Sequence, residues 1–223
     1  MPFDMSEVLS SITGRKLLES SQQLQAVVHE FQTSATPERT INGRYIGGGR
    51  YSHIWEVEGV VVKLSSPTAN RDSIQSGKPT KPEDLLEQFD FLGRLGEHLA
   101  QQPDEIIVPR QYFALCSQFG AYLLCQQYMA GWVSAQDWIG KRYGYDLTDD
   151  QKQEIKTLVV TTKQRIVKAI GTSPLMSGLN DLKLDKPGGL HGGNVLFPSD
   201  APSSLELPVC IIDQPGVQKV KLI

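Results

Sequence analysis

Ile46-Gly47-Gly48-Gly49-Arg50-Tyr51-Ser52-His53-Ile54-Trp55-Glu56-Val57-Glu58-Gly59-Val60-Val61-Val62-Lys63-Leu64 is the stretch on which the fold turns. Three consecutive glycines let a backbone pass close to a ligand with no Cβ in the way. The residues after them are β-branched or aromatic, and Glu58-Gly59 is a tight-turn signal between two strand-like runs. The pattern predicts strand, glycine turn, strand, short turn, strand. The last strand, Val60 to Leu64, is apolar except for Lys63.

That order separates the known kinds of glycine loop. A dinucleotide-binding loop opens a helix and wants a third glycine where this chain has Ser52. A Walker-type loop ends in Gly-Lys-Ser/Thr, which is missing here. A glycine loop inside a β-hairpin, followed by a strand lysine, resembles the arrangement that covers ATP phosphates in protein kinases. Gly47, Gly49 and Ser52 fit the family's Gly-x-Gly-x-x-Gly/Ser pattern, and Gly48 lies within it. Ile54 fits the valine that follows, and Val61-Val62-Lys63 fits Val-Ala-Ile-Lys. Taken alone, the stretch also suits an ordinary glycine turn beside a lysine whose head reaches out of an edge strand.

Bulk properties narrow the field. The 223 residues suit one domain of two small lobes, and 39% hydrophobic with 21% charged content is ordinary for a globular protein. A net charge of -3 points away from a nucleic-acid surface. Cys116, Cys125 and Cys210 lack any Cys-x-x-Cys spacing and read as small buried hydrophobes of a reducing compartment. No apolar run approaches a membrane span, and Met1-Pro2-Phe3-Asp4 does not begin like a signal peptide. The expectation is a cytoplasmic protein, or one delivered into a host cell as some small kinases similar to this pattern are.

Working outward, residues 6–33 carry Leu17, Leu18, Leu24, Val27, Val28 and Phe31 at helical spacing. They predict a helix packed on the main domain, or one offered to a partner. Residues 65–82 are polar and proline-bearing and read as a loop. Pro82-Glu83-Asp84 suits a helix start, and Leu85, Leu86, Phe89, Leu92 and Leu95 give that helix an apolar face. In the family this helix carries the glutamate that pairs with the strand lysine. Glu87, with Leu92 five residues on, matches that position better than Glu83 does. Strands are expected over Ile106 to Pro109, Gln111 to Leu115 and Ala121 to Gln127. A short helix is expected over Ser134 to Ile139, and a long one from Asp149 to Ile170 between Thr148 and Gly171.

Tyr122 to Gly131 resembles the last N-lobe strand and hinge of a kinase, so Gln127 and Met129 would meet the adenine edge. Leu190-His191-Gly192-Gly193-Asn194-Val195-Leu196-Phe197 resembles the catalytic loop of aminoglycoside-phosphotransferase-like kinases, and Asn194 matches their metal-binding asparagine. Val209 to Ile212 followed by Asp213 resembles the strand and Mg²⁺-binding aspartate of Asp-Phe-Gly, although Gln214-Pro215 follows.

The catalytic aspartate of that pattern falls on Gly189, which cannot accept a proton. Asp181-Leu182-Lys183 resembles the Asp-Leu-Lys of kinase catalytic loops, which makes Asp181 or Asp185 a relocated base. A solvent-facing polar loop is the plainer reading of both. Ten residues follow Asp213 in this sequence, so an activation segment of the family type is not expected here.

The resemblance implies an α+β, protein-kinase-like bilobal fold with a five-stranded antiparallel N-lobe sheet and a truncated helical C-lobe. Its parts would be a helical extension (1–40), an N-lobe (41–128) and a C-lobe (129–223). It implies an ATP- and Mg²⁺- (or Mn²⁺-) dependent phosphotransferase acting on a protein hydroxyl, with Lys63, Glu87, Asn194 and Asp213 in the family roles. A nucleotide-binding pseudokinase with a protein partner, and a small-molecule kinase, are the alternatives.

Overall fold

The computed structural model describes residues 9–34, 40–48, 53–65, 82–102, 105–117, 121–144, 146–173, 175, 195–202 and 207–212. The chain is α+β and divides into two compact units, Met1–Asp90 with Arg110–Tyr128, and Phe91–Pro109 with Met129–Ile223.

The first unit is an antiparallel sheet with two helices on one face. Its strands are β1 (Leu9–Ser10), β2 (Arg44–Gly48), β3 (His53–Val57), β4 (Val60–Ser65), β6 (Gln111–Cys116) and β7 (Tyr122–Gln127), in the order β1-β6-β7-β4-β3-β2. The five strands expected from the sequence are there, and Leu9–Ser10 adds a short sixth on the β6 edge. Alternation sorts the two faces. Val60, Val62 and Leu64 of β4, Phe113 and Leu115 of β6, and Leu123 and Cys125 of β7 enter one core with Leu18, Leu24, Val27, Val28 and Phe31.

Those last five come from α1 (Ile12–Ser20) and α2 (Gln22–Thr33). The single helical stretch expected over 6–33 is therefore a strand and two helices. The break is at Ser21, whose hydroxyl accepts from Leu24 N–H at 3.0 Å and starts α2 while its own N–H closes α1 on Leu17 O at 3.0 Å. Gly14 lets α1 cross β6, because a Cβ there would lie 1.9 Å from the Tyr112 carbonyl oxygen.

The second unit holds a four-stranded sheet, β5-β10-β9-β8, from β5 (Ile106–Ile107), β8 (Trp132–Ser134), β9 (Val195–Pro198) and β10 (Val209–Ile211). β5 is parallel to β10 and the other pairs are antiparallel. Two helices pack with it, α4 (Ala135–Tyr143) and α5 (Asp149–Ile170). Thr148 and Gln151 form a capping box on α5, and Gly171 (φ +60) ends it, as the sequence predicts. The core joins Leu158, Ile166 and Ile170 of α5 to Val195, Phe197, Val209 and Ile211, with Trp138 edge-on to Phe197 at 5.6 Å. α3 (Pro82–Leu99) begins at the expected proline and contributes Phe91, Leu92, Leu95 and Leu99 to this core.

Candidate functional site

The glycine hairpin and the strand lysine meet in one row of the first unit's sheet. Gly47 is the register partner of Ile54, Ile54 of Lys63, and Lys63 of Leu124. Directly opposed residues of antiparallel strands share a face. Since Val62 and Leu64 point into the helix-covered core, this row lies on the opposite face. A β-bulge between Tyr45 and Gly47 sets the register, making Gly47 rather than Ile46 the partner of Ile54.

The described residues give no reason for glycine at 47. Among the described residues a Cβ built there meets nothing within 4 Å, whereas those at Gly14 and Gly43 would collide at 1.9 and 2.7 Å. The backbone at 47 is also outside the left-handed region that Gly59 occupies. Open space beside a glycine, in line with a lysine that is only 8% exposed, is what close approach by a polyanion requires.

The part of α3 that belongs to the first unit meets the lysine's face of the sheet through Phe89. Phe89 packs on the cluster of Ala114, Tyr122 and Leu124, and Leu124 is the register partner of Lys63. Glu87 is two residues before Phe89 on that helix, and its side chain lies outside the described residues.

At the end of β7 the backbone is firmly held. Gln127 N–H donates to Arg110 O at 2.8 Å, and Gln127 Oε1 accepts from Arg110 N–H at 3.4 Å. Tyr128 N–H donates to Gly59 O at 3.2 Å. Met129 O accepts from Trp132 N–H at 3.2 Å, and among the described residues the Met129 N–H has no partner.

Charged groups cluster around the Glu58-Gly59 turn. Arg44 donates to Glu56 at 3.3 Å and to the Tyr128 hydroxyl at 2.9 Å, and lies 5.5 Å from the centre of the Tyr128 ring. The Gly59 N–H, at 2.8 Å, and then the Arg44 guanidinium hold the Glu56 carboxyl below its usual range. The Tyr128 hydroxyl and Glu56 raise Arg44 in turn.

The remaining sequence candidates lie outside the described residues: Gly49, Ser52, Asp181, Asp185, Asn194 and Asp213. Val195 follows Asn194 directly and Ile211 is two residues before Asp213, and these two strand residues are register partners. The carboxylate of Glu58 is the feature that motif reading passes over. Its signal was a glutamate where a two-residue hairpin turn favours asparagine.

No family model matches the chain, and no curated protein matches it. Solved structures do resemble it. WaaP in complex with acyl carrier protein gives a TM-score of 0.45 at 12% identity, over 93% of this chain and 70% of that one. Two variants of the Mycobacterium tuberculosis PknI kinase domain give 0.44 and 0.40 at 13% and 15% identity, over 77% of this chain. The chain spans 56% and 57% of those two chains.

Proposed function

We propose that this chain is a minimal, kinase-like phosphotransferase that binds ATP on the Lys63-bearing face of the first unit's sheet. The observation that carries this reading is the row Gly47–Ile54–Lys63–Leu124: an uncrowded glycine aligned with a buried lysine. Phosphoryl transfer asks a protein chiefly for positioning and charge neutralisation. Lys63 would take the α- and β-phosphates, oriented by Glu87. The glycines 47 to 49 and Ser52 would cover the phosphates, and the backbone near Gln127 and Met129 would meet the base.

An amide oxygen and a carboxylate are donors that a hard divalent cation accepts. Asn194 and Asp213 would therefore hold Mg²⁺ or Mn²⁺, and the pairing of Val195 with Ile211 supports their acting together. That ion would supply neutralisation of phosphate charge. Asp181 or Asp185 would orient the attacking hydroxyl, which we assign to a serine, threonine or tyrosine of a protein. Gly189, where the family pattern has its aspartate, favours a second reading, in which the chain binds nucleotide without transfer and acts through a protein partner.

Transfer of labelled γ-phosphate with Mg²⁺ or Mn²⁺, autophosphorylation included, separates the two. Thermal stabilisation by nucleotide is read on the same sample, since a ligand of the folded state raises its stability. Transfer lost in Asp213→Ala and in either Asp181→Ala or Asp185→Ala establishes the kinase. Stabilisation abolished by Lys63→Ala, with no transfer by the parent chain, establishes the nucleotide-binding pseudokinase. Neither signal in the parent chain overturns the nucleotide reading.

A further inference from the structure

Glu58 is the sole described residue other than glycine with a positive φ, at 50°. With Gly59 at φ 78 it makes a two-residue hairpin turn of the kind that favours asparagine or glycine at its first position. A glutamate there is strained, and such a residue persists when its surroundings hold it. What holds it is Ser21, whose hydroxyl donates to Glu58 Oε2 at 2.6 Å. Ser21 is itself 7% exposed and ends one helix while starting the next. The turn that it secures presents Gly59 O to Tyr128 N–H at 3.2 Å. Tyr128 is the last residue of the first unit, and Met129, whose N–H is without a partner among the described residues, follows.

We infer that Ser21 and Glu58 are positioning residues. They latch the N-terminal helix junction to the β3–β4 turn, and so fix the Tyr128–Met129 backbone for a nucleotide base. This rests on the nucleotide reading given above. The physical logic is that a backbone donor recognises a base only if its own position is set beforehand, because ordering it on binding would cost affinity. The bond that sets it runs to a turn, and the Ser21–Glu58 bond fixes where that turn stands relative to the helix junction.

The test uses the full chain and two readouts. Amide exchange at Tyr128 is measured in the free protein, and AMP-PNP affinity is measured with Mg²⁺. Ser21→Ala removes the tie and also a helix cap, so Glu58→Asn is the deciding variant. Asparagine suits the turn better than glutamate but is one methylene too short to keep the contact. Glu58→Gln and Ser21→Thr retain an acceptor and a hydroxyl and serve as rescues.

The expected result is about tenfold faster exchange at Tyr128 in Ser21→Ala and Glu58→Asn, from loss of one hydrogen bond to a charged group. AMP-PNP binding weakens in parallel, the thermal midpoint of Glu58→Asn does not fall, and both rescues behave as the parent. A turn that is merely structural would lead Glu58→Asn to exchange and bind like the parent, which would overturn the inference. Parent-like binding in the presence of faster exchange would also overturn it. If the parent binds no AMP-PNP, the nucleotide reading fails and the latch's role in base recognition falls with it. The exchange data then still show whether the latch exists.

Discussion

Lys63 is the residue on which the functional reading is most exposed to test. A lysine only 8% exposed within an otherwise apolar strand runs against the tendency of charges to stay in water. Lys63→Met keeps the length and apolar stem of the side chain and removes the ammonium. Phosphoryl transfer should fall by about a hundredfold or more, the scale seen when a charge-stabilising donor is removed. Nucleotide-induced stabilisation should weaken with it, while circular dichroism shows the fold retained. Loss of the fold would assign Lys63 a structural role instead. Thr162 tests the opposite case. Its hydroxyl, on a residue of α5 that is 1% exposed, has no hydrogen-bond partner among the described residues. Thr162→Val should raise stability by about 1 kcal/mol, since a buried unsatisfied hydroxyl costs on that order. The measurement is the denaturant midpoint at unchanged slope.

At the scale of elements, the two glycines 14 and 47 make a contrast. Gly14→Ala puts a methyl 1.9 Å from a backbone oxygen, which has no flexible end to yield, so α1 must lift from β6. A loss of about 1–3 kcal/mol is expected, as for overpacking. Gly47→Ala meets nothing within 4 Å among the described residues and should leave the thermal midpoint in place while weakening ATP binding. Equal loss of stability in both would remove the ligand-based reason for Gly47. Sequence reading reached the elements where one local rule dominated. Pro82 opened α3, and Thr148 and Gly171 bounded α5, because caps and proline act within one turn of chain. Val60 to Leu64 was legible as a strand, but a run that is apolar except for Lys63 does not say which residues share a face. The break at Ser21 was hidden because a serine amid helical periodicity looks like a surface residue. Its hydroxyl caps α2 and also reaches a carboxylate 37 residues away, a contact that no local pattern shows. The two-residue strand Leu9–Ser10 is likewise set by its partner β6, not by any pattern of its own. The row that aligns Gly47 with Lys63 depends on a bulge, and the residues predicted it only as a strand order.

Among the described residues each unit buries one cysteine: Cys125 within the main apolar cluster of the first unit, and Cys210 in β10 of the second. Among the described residues no helix is long and apolar enough to cross a membrane. Burial holds the Cys125 thiol well above its ordinary range and pushes Cys210 up to about 12. Cys116 is half-buried by comparison. A water-soluble disulfide reagent at pH 8 should therefore label Cys116 in the native protein, and Cys125 and Cys210 only on unfolding. The same burial fixes a pH dependence. A thiol whose folded-state pKa is raised favours the folded chain fully below its unfolded value, near 9. That contribution is lost as pH climbs from there toward about 12, because the unfolded chain can ionise and the folded one cannot. Glu56 works in the other direction. Its carboxyl is held low by Gly59 and Arg44, so its contribution is present above the unfolded carboxylate value and fades as pH falls through the folded one. It is half-buried but its partner Arg44 is exposed, so screening keeps that acid-side effect small. Denaturant melts from pH 3 to 12 should accordingly give a plateau with a shallow acid-side fall and a steeper decline beyond pH 9. Replacing both buried cysteines with alanine should lower the plateau through the cavities left behind and flatten the alkaline slope. An alkaline slope unchanged by the double substitution would show that other groups set it, and native labelling of either buried cysteine would show that its core opens to solvent.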